Sequence, residues 1–249
     1  MTILDEIIEH IRSDLDEARH RYPLSCLKEQ AERRDAPRGF ESALRPRPDR
    51  PPRVIAELKK ASPSRGLIRP RFGAVSLARQ LAANGAAALS VLTEVRYFKG
   101  SSEYLQAARA NVDIPVLRKD FIVDPYQVVE ARAWGADAIL LIAAALSAGQ
   151  FADLHAQAKS LGLDVLAEVH TESELASVLD AGATTVGINS RDLRTFTVDL
   201  ALTERLLAEV PPSCVRVAES GVRTAEDIER LRKAGADAFL VGETLMRAA

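Results

Sequence analysis

The sequence predicts an α/β protein, a (β/α)8 barrel of the TIM type behind an N-terminal helical extension. Three observations carry that prediction. Eight short β-branched or aliphatic runs recur from residue 54 onward, helix start signals stand between them, and a spaced glycine repeat closes alternate helical stretches.

The runs are VIAELK (54–59), ALSVLT (88–93), IPVLRK (114–119), AILLIA (138–143), DVLAEV (164–169), TVGIN (185–189), VRVAES (215–220) and AFLVG (238–242). Their starts lie 21 to 34 residues apart, the length of one strand, one helix and two short loops. Asp124-Pro125 places a capping carboxylate before a proline at the first helical position. Thr171 with Glu174 reads as a capping box, and Thr224 with Asp227 is a similar signal. Gly85, Gly135, Gly182 and Gly235 recur at intervals of 50, 47 and 53 residues, each between a helical stretch and a strand. Glycine suits a helix C-terminus because it enters the left-handed region at no steric cost. Eight such units fit a closed barrel or an open doubly wound sheet. No strand is followed by GxGxxG, and closure removes both sheet edges, so the barrel is preferred.

Length and composition agree. A chain of 249 residues is long enough for one barrel, here read as one domain over 1–249, with an extension and connector over 1–50 and the barrel over 51–249. Cys26 and Cys214 make no CxxC pair and the four histidines are scattered, which argues against a disulfide scaffold or a zinc site. A net charge of -2 argues against a nucleic-acid partner. The apolar run 138–146 is too short to cross a bilayer, and the N-terminus lacks the apolar core of a signal peptide. The default is therefore a reduced, cytoplasmic setting.

Ile3, Leu4, Ile7, Ile8, Ile11, Leu15 and Ala18 fall at helical spacing, so the first twenty residues read as an amphipathic helix. Its apolar stripe is expected to pack across the barrel near the mouth, with the barrel bottom or another chain as the alternatives. A polar stretch follows and ends in RPRPDRPPR (45–53), read as a stiff extended connector, with docking to an acidic partner as the alternative.

In such a barrel the C-terminal strand ends build the active site. Those ends carry Glu57 and Lys59, Thr93-Glu94, Lys119-Asp120, Glu168, Asn189, Glu219-Ser220 and Gly242. Glu57 and Lys59 are two apart and so share a face of their strand. Charges at a barrel mouth are costly to desolvate unless paired or used. Ion pairs closing the barrel top would explain any one of them, but two lysines and three glutamates converging from five strands suit proton transfer better. Two lysines in one mouth are also expected to lower each other's pKa, tempered by the glutamates. Arg118 and Arg216 alternate with inward positions and are expected to point outward. SGVRTAED (220–227) and GETLMRA (242–248) place glycine beside helix starts after the last two strands, where barrels commonly hold phosphate.

VIAELKKASPSRGLI (54–68) closely resembles the signature of the indole-3-glycerol-phosphate synthase family. LTEVRYFKGSSEYL (92–105), VLRKDFIVDPYQ (116–127), LAEVH (166–170), GINSRDLRTF (187–196), AESGV (218–222) and LVGETLM (240–246) resemble it in the same order, as do the leader and RGFESAL (38–44). The resemblance implies a carboxy-lyase of tryptophan biosynthesis that closes, decarboxylates and dehydrates 1-(2-carboxyphenylamino)-1-deoxyribulose 5-phosphate to indole-3-glycerol phosphate. It implies no cofactor or metal, one phosphorylated small-molecule partner, and a monomer or weak dimer. Residue by residue, it makes Lys119 the general acid at the ketone and Glu168 the acid/base of dehydration. Lys59 would pair with Glu57 and orient substrate. Asn189, Glu219 and Ser220 would hold the anilino nitrogen and hydroxyls. Ser62, Gly221, Gly242 and Glu243 fall where the family binds carboxylate or phosphate, and Phe98, Leu140 and Arg191 where it lines the aromatic pocket. Glu243 departs from relatives with serine there. SPSRG is expected to fold over substrate as a mobile loop, or else to be an ordinary turn. The competing readings are a Schiff-base aldolase using Lys59 or Lys119, a non-catalytic phosphate-binding barrel, and the phosphoribosylanthranilate isomerase family, which lacks the leader and the ELKKASPS segment.

Overall fold

The computed structural model describes residues 2–46, 51–192 and 196–248; residues 47–50 of the connector and 193–195 of GINSRDLRTF lie outside them. The leader holds α1 (Ile3–Arg21), α2 (Leu24–Glu32) and α3 (Phe40–Leu44). Then come β1 (Arg53–Leu58), a ribbon of β2 (Ala61–Ser62) and β3 (Gly66–Leu67), α4 (Ala74–Ala83), β4 (Ala88–Leu92), α5 (Ser102–Arg109) and β5 (Val116–Lys119). After these follow α6 (Pro125–Trp134), β6 (Ala138–Ile142), a 3-10 turn at Ala143–Ala145, α7 (Ala148–Ser160), β7 (Asp164–Val169) and α8 (Glu172–Asp180). The chain closes with β8 (Thr185–Asn189), α9 (Leu200–Glu209), β9 (Val215–Glu219), α10 (Ala225–Lys233), β10 (Ala238–Val241) and α11 (Glu243–Ala248).

Strands β1 and β4 to β10 form a closed parallel barrel, β1 pairing with both β4 and β10. Each predicted run contributes one barrel strand, with bounds moved by at most two residues. Gly85, Gly135, Gly182 and Gly235 all adopt positive φ, between 84° and 107°, as their helix-ending positions require.

Two apolar shells hold the barrel. Ile55, Leu117, Leu140, Leu166, Val217 and Leu240 fill its interior, while Leu89, Val91, Ile139, Val186 and Phe239 meet the surrounding helices. Strand alternation then fixes what comes next. Two residues above the interior layer stand Glu57, Lys119, Glu168, Glu219 and Gly242. Arg118 faces outward as expected: it lies among Asp120, Glu130 and the Trp134 ring, whose centroid is 4.2 Å from its guanidinium carbon. Arg216 likewise pairs outside the barrel interior with Asp237 at 3.0 Å.

The leader covers both ends of the barrel. Ile3, Leu4 and Ile7 of α1 lie at the mouth. The helix is tied to the following loops by His10 to Tyr97 (2.7 Å), Arg96 to Asp14 (3.0 Å) and Arg19 to Asp124 (2.8 Å). Leu27 and Ala31 of α2 pack on Tyr126, Val129 and Ala133 of α6. Phe40 and Leu44 of α3, fully buried, plug the bottom against Ile55, Ala88 and Val215. Both α2 and α3 lie in what reads from sequence as a polar stretch. Beneath the barrel, Asp137 accepts from the backbone N–H of Arg38 (2.7 Å) and of Val116 (2.8 Å), and pairs with Arg109 (2.9 Å). Among the described residues no helix is long and apolar enough to cross a membrane.

Candidate active site

All fourteen residues singled out from the sequence line one hollow of about 580 Å³ at the C-terminal ends of the strands. Lys119 stands at its floor. Its Nζ lies 3.3 Å from Glu168 Oε2 and 3.4 Å from Glu219 Oε2, joining β5 to β7 and β9. Lys59 Nζ pairs with Glu57 Oε2 at 2.5 Å, so the two share a face as their spacing requires. Asn189 Nδ2 donates to Glu168 Oε1 at 3.0 Å, leaving the other carboxylate oxygen to Lys119. Two glycines make this crowding possible. A Cβ at position 187 would overlap Glu219 Oε1, and one at 242 would overlap Glu57 Oε2.

Charge sharing at the floor differs from the sequence-based expectation. Burial alone would lower the pKa of Lys119, but Glu168, Glu219 and Glu57 outweigh it and raise that pKa, so the ammonium is held tightly. The expected depression by Lys59 is therefore corrected: each lysine sits against carboxylates. Burial pushes Glu219 up to about 8, against the pull of Lys119 and with the help of Glu168. Burial also opposes ionisation of Glu168, yet Lys119, His170 and the Asn189 amide bring its pKa below the ordinary value. One carboxylate of the pair is thus charged and its neighbour protonated near pH 7, as expected when like charges share a buried site.

The walls divide by chemistry. Ile3, Leu4, Ile7, Phe98, Phe121, Leu140 and Ile142 form an apolar side, with Phe98 and Phe121 at 6.1 Å between ring centroids. Ser62, Arg191, Ser220, Gly221, Arg223, Gly242, Glu243 and Arg247 form a polar side. Glu243 occupies two cations there, Arg65 at 3.3 Å and Arg247 at 3.1 Å. Ser220 adopts φ 63° and Gly221 φ 74°, so the loop after β9 turns sharply into the hollow. Ahead of α10, Asp227 accepts the N–H of Arg223 (2.9 Å) and of Thr224 (3.0 Å), and both the Ser220–Gly221 turn and the Gly242–Glu243 junction face the hollow.

Other strand-end polar residues serve the frame. Glu94 accepts the N–H groups of Arg96, Tyr97 and Phe98 at 2.8 to 2.9 Å, fixing the loop that presents Phe98. Asp120 is held by Arg118 (3.0 Å), Thr93 (2.5 Å) and the N–H of Phe121 (2.9 Å). SPSRG is the turn of the β2–β3 ribbon, with Ser62, Pro63 and Ser64 on the hollow and Arg65 reaching Glu243. His170 escaped sequence reasoning as an individual group. It follows Glu168 by two residues, but it sits past the end of β7, where alternation gives no orientation.

Residues 4–249 match the family model described as indole-3-glycerol phosphate synthase. An indole-3-glycerol phosphate synthase of Koribacter versatilis is 52% identical over 245 residues, covering 98% of this chain and 94% of the relative. One from Rhodospirillum rubrum is 52% identical over 247 residues, covering 98% and 94%. Among solved structures, the N-acetylmannosamine-6-phosphate 2-epimerase from Clostridium perfringens superimposes with a TM-score of 0.63 at 16% identity, covering 79% of this chain and 88% of that one; it shares the barrel alone. Matched along nearly its whole length by that model and by relatives about half identical to it, the chain belongs to the indole-3-glycerol phosphate synthase family.

Proposed function

We propose that this hollow converts 1-(2-carboxyphenylamino)-1-deoxyribulose 5-phosphate to indole-3-glycerol phosphate, with loss of carbon dioxide and water. The observation that carries the reading is Lys119, an ammonium bridging Glu168 and Glu219 between an apolar wall and a cationic one. The aromatic ring lies toward Phe98 and Leu140, and the phosphate toward Ser62, Gly221, Gly242 and Glu243. There Arg65 and Arg247 exchange the Glu243 carboxylate for phosphate oxygens. Arg191 and Lys59 orient the anions, with Glu57 fixing Lys59.

The ring carbon bearing the carboxylate then attacks the ketone carbon, whose oxygen takes up the electron pair. A lysine that keeps its proton against water still yields it to an alkoxide, which is a stronger base, and its charge stabilises the oxygen on the way. The electrons of the carboxylate–carbon bond return to the ring as carbon dioxide leaves. In the dehydration the new hydroxyl leaves as water on protonation and the neighbouring methylene gives up a proton to Glu168. Asn189 keeps Glu168 aimed, while Glu219 and Ser220 hold the anilino nitrogen and hydroxyls.

A held ammonium has no lone pair for imine formation, which argues against a Schiff-base aldolase. The protein acts in this reading as a cytoplasmic monomer, with leader and barrel as one domain. Supplying the carboxyphenylamino sugar phosphate should give indole absorbance and fluorescence, and borohydride should trap no adduct. Absence of indole product would overturn the proposal.

A further inference from the structure

We propose that His170 is a proton-delivering residue that restores, once per turnover, the proton the floor of the hollow spends, passing it inward from Glu174 to Glu168. The inference rests on the reaction proposed above, whose proton balance requires such a supply. Ring closure places one proton on the ketone oxygen, and loss of water consumes a second. Only one returns, from the methylene beside the leaving hydroxyl. The carboxylate leaves as neutral carbon dioxide, so each cycle ends one proton short. Lys119 and Glu168 lie 3.3 Å apart and can share what they hold, but the deficit has to be filled from outside the pair.

Substrate occupies the hollow side of Glu168. His170 approaches the same carboxylate without lining that hollow. Its Nε2 lies 3.6 Å from Glu168 Oε1, and its Nδ1 lies 3.7 Å from Glu174 Oε2. Both ring nitrogens are buried and without a hydrogen-bond partner, a costly state for a side chain that serves packing alone. Glu174 is itself fixed: it accepts the N–H of His170 at 2.6 Å, and its own N–H donates to Thr171 Oγ1 at 3.2 Å. Its side chain keeps 22% exposure against 13% for His170 and 2% for Glu168, so accessibility falls stepwise inward. A small rotation of the ring shortens one contact or the other, as a shuttle between two carboxylates requires.

The charged groups facing His170 are Glu168 of β7, Glu174 of α8 and, further off, Glu219 of β9, with Lys119 of β5 beyond Glu168. Burial opposes the imidazolium, but Glu174, Glu168 and Glu219 overcome this and raise its pKa, which favours the protonated ring. Its Nε2 proton goes to Glu168, leaving a neutral ring that keeps its Nδ1 proton; rotation turns the emptied Nε2 toward Glu174, which takes a proton from water and passes it on, and the reverse rotation resets the imidazolium.

Two variants test the proposal, each with wild-type protein as the control for the reaction itself. Failure of wild type to make indole product would overturn the proposed function rather than the relay. In His170→Ala, the first turnover after rapid mixing should run near the wild-type rate, because the floor starts loaded. Later turnovers should slow about tenfold or more, within the usual worth of a proton-transfer group. KM should stay close to wild type, and imidazole in the buffer should restore the steady-state rate. His170→Gln keeps a polar side chain that cannot titrate and should show the same burst; it carries the test if the alanine variant does not fold. Steady-state rates equal to wild type in the variants would overturn the relay. So would a first turnover slowed as much as the later ones, the mark of a residue that only supports Glu168.

Discussion

Exchanging Lys119 for alanine removes the ammonium that bridges Glu168 and Glu219 at 3.3 and 3.4 Å. Turnover should be abolished while substrate still binds, since the Phe98 wall and the Arg191 side are untouched; ligand titration beside a rate assay checks both halves. Glu168→Gln should slow the reaction by roughly two orders of magnitude, the ordinary worth of an acid–base group. Glu219 supports a prediction of opposite sign. The native state keeps its proton up to about pH 8, whereas an unfolded chain releases it near the ordinary carboxylate value. The unfolded state therefore binds fewer protons across that window, and stability falls as pH rises through it. Glu219→Gln carries no such proton, so it should melt higher than wild type by about 1 kcal/mol at pH 8 and above, with the gap closing toward acid pH. Its activity should fall, because a working site is commonly kept at some expense in stability. Sequence already marks these side chains, since charges at alternate positions of otherwise aliphatic strands stand out. Which carboxylate keeps its proton was not legible, because that depends on how three acids share one lysine across β1, β5, β7 and β9.

Among the elements, the β2–β3 ribbon does most for the mouth relative to its size. Ser62 lines the hollow and Arg65 meets Glu243 at 3.3 Å, so shortening the turn at 63–65 should lower kcat together with affinity. A loss of neither would reduce the ribbon to a connection. Gly242 is a sharper case. A side chain there would overlap Glu57 Oε2, with Lys59 Nζ 3.1 Å away, so Gly242→Ala should displace the Glu57–Lys59 pair and raise KM without unfolding the barrel. The eight strands and the helix-ending glycines were legible because each repeats a local rule. Helices α2 and α3 were not: LSCLKEQAE and FESAL are nine and five residues, too short to show a period, and they are helical because α6 and the barrel floor receive Leu27, Phe40 and Leu44.

Across the whole molecule, stability and chemistry are assigned to opposite ends of the barrel, and the leader touches both. At the bottom, fully buried Phe40 closes the interior layer, and its replacement by alanine should cost about 3–5 kcal/mol with the site geometry kept. At the mouth, Ile7 presents its side chain to the hollow beside Leu4, within reach of whatever fills the apolar wall. Ile7→Ala should therefore raise KM about fivefold or more, the usual effect of trimming a hydrophobic contact to substrate. Melting should move little, because the leader stays anchored by Tyr126 Oη donating to the Ala18 and Tyr22 carbonyls at 3.0 and 2.8 Å and by Arg19 on Asp124. The amphipathic stripe shows in the sequence that α1 must lie on something, and the mouth is the expected cover; the bottom and another chain stay open as alternatives because a stripe does not name its partner. Measuring both variants for melting and for KM separates the two ends. If Ile7→Ala unfolded the protein while Phe40→Ala left it stable, the leader would be holding the barrel from the top, and its place at the mouth would be structural rather than a wall of the site.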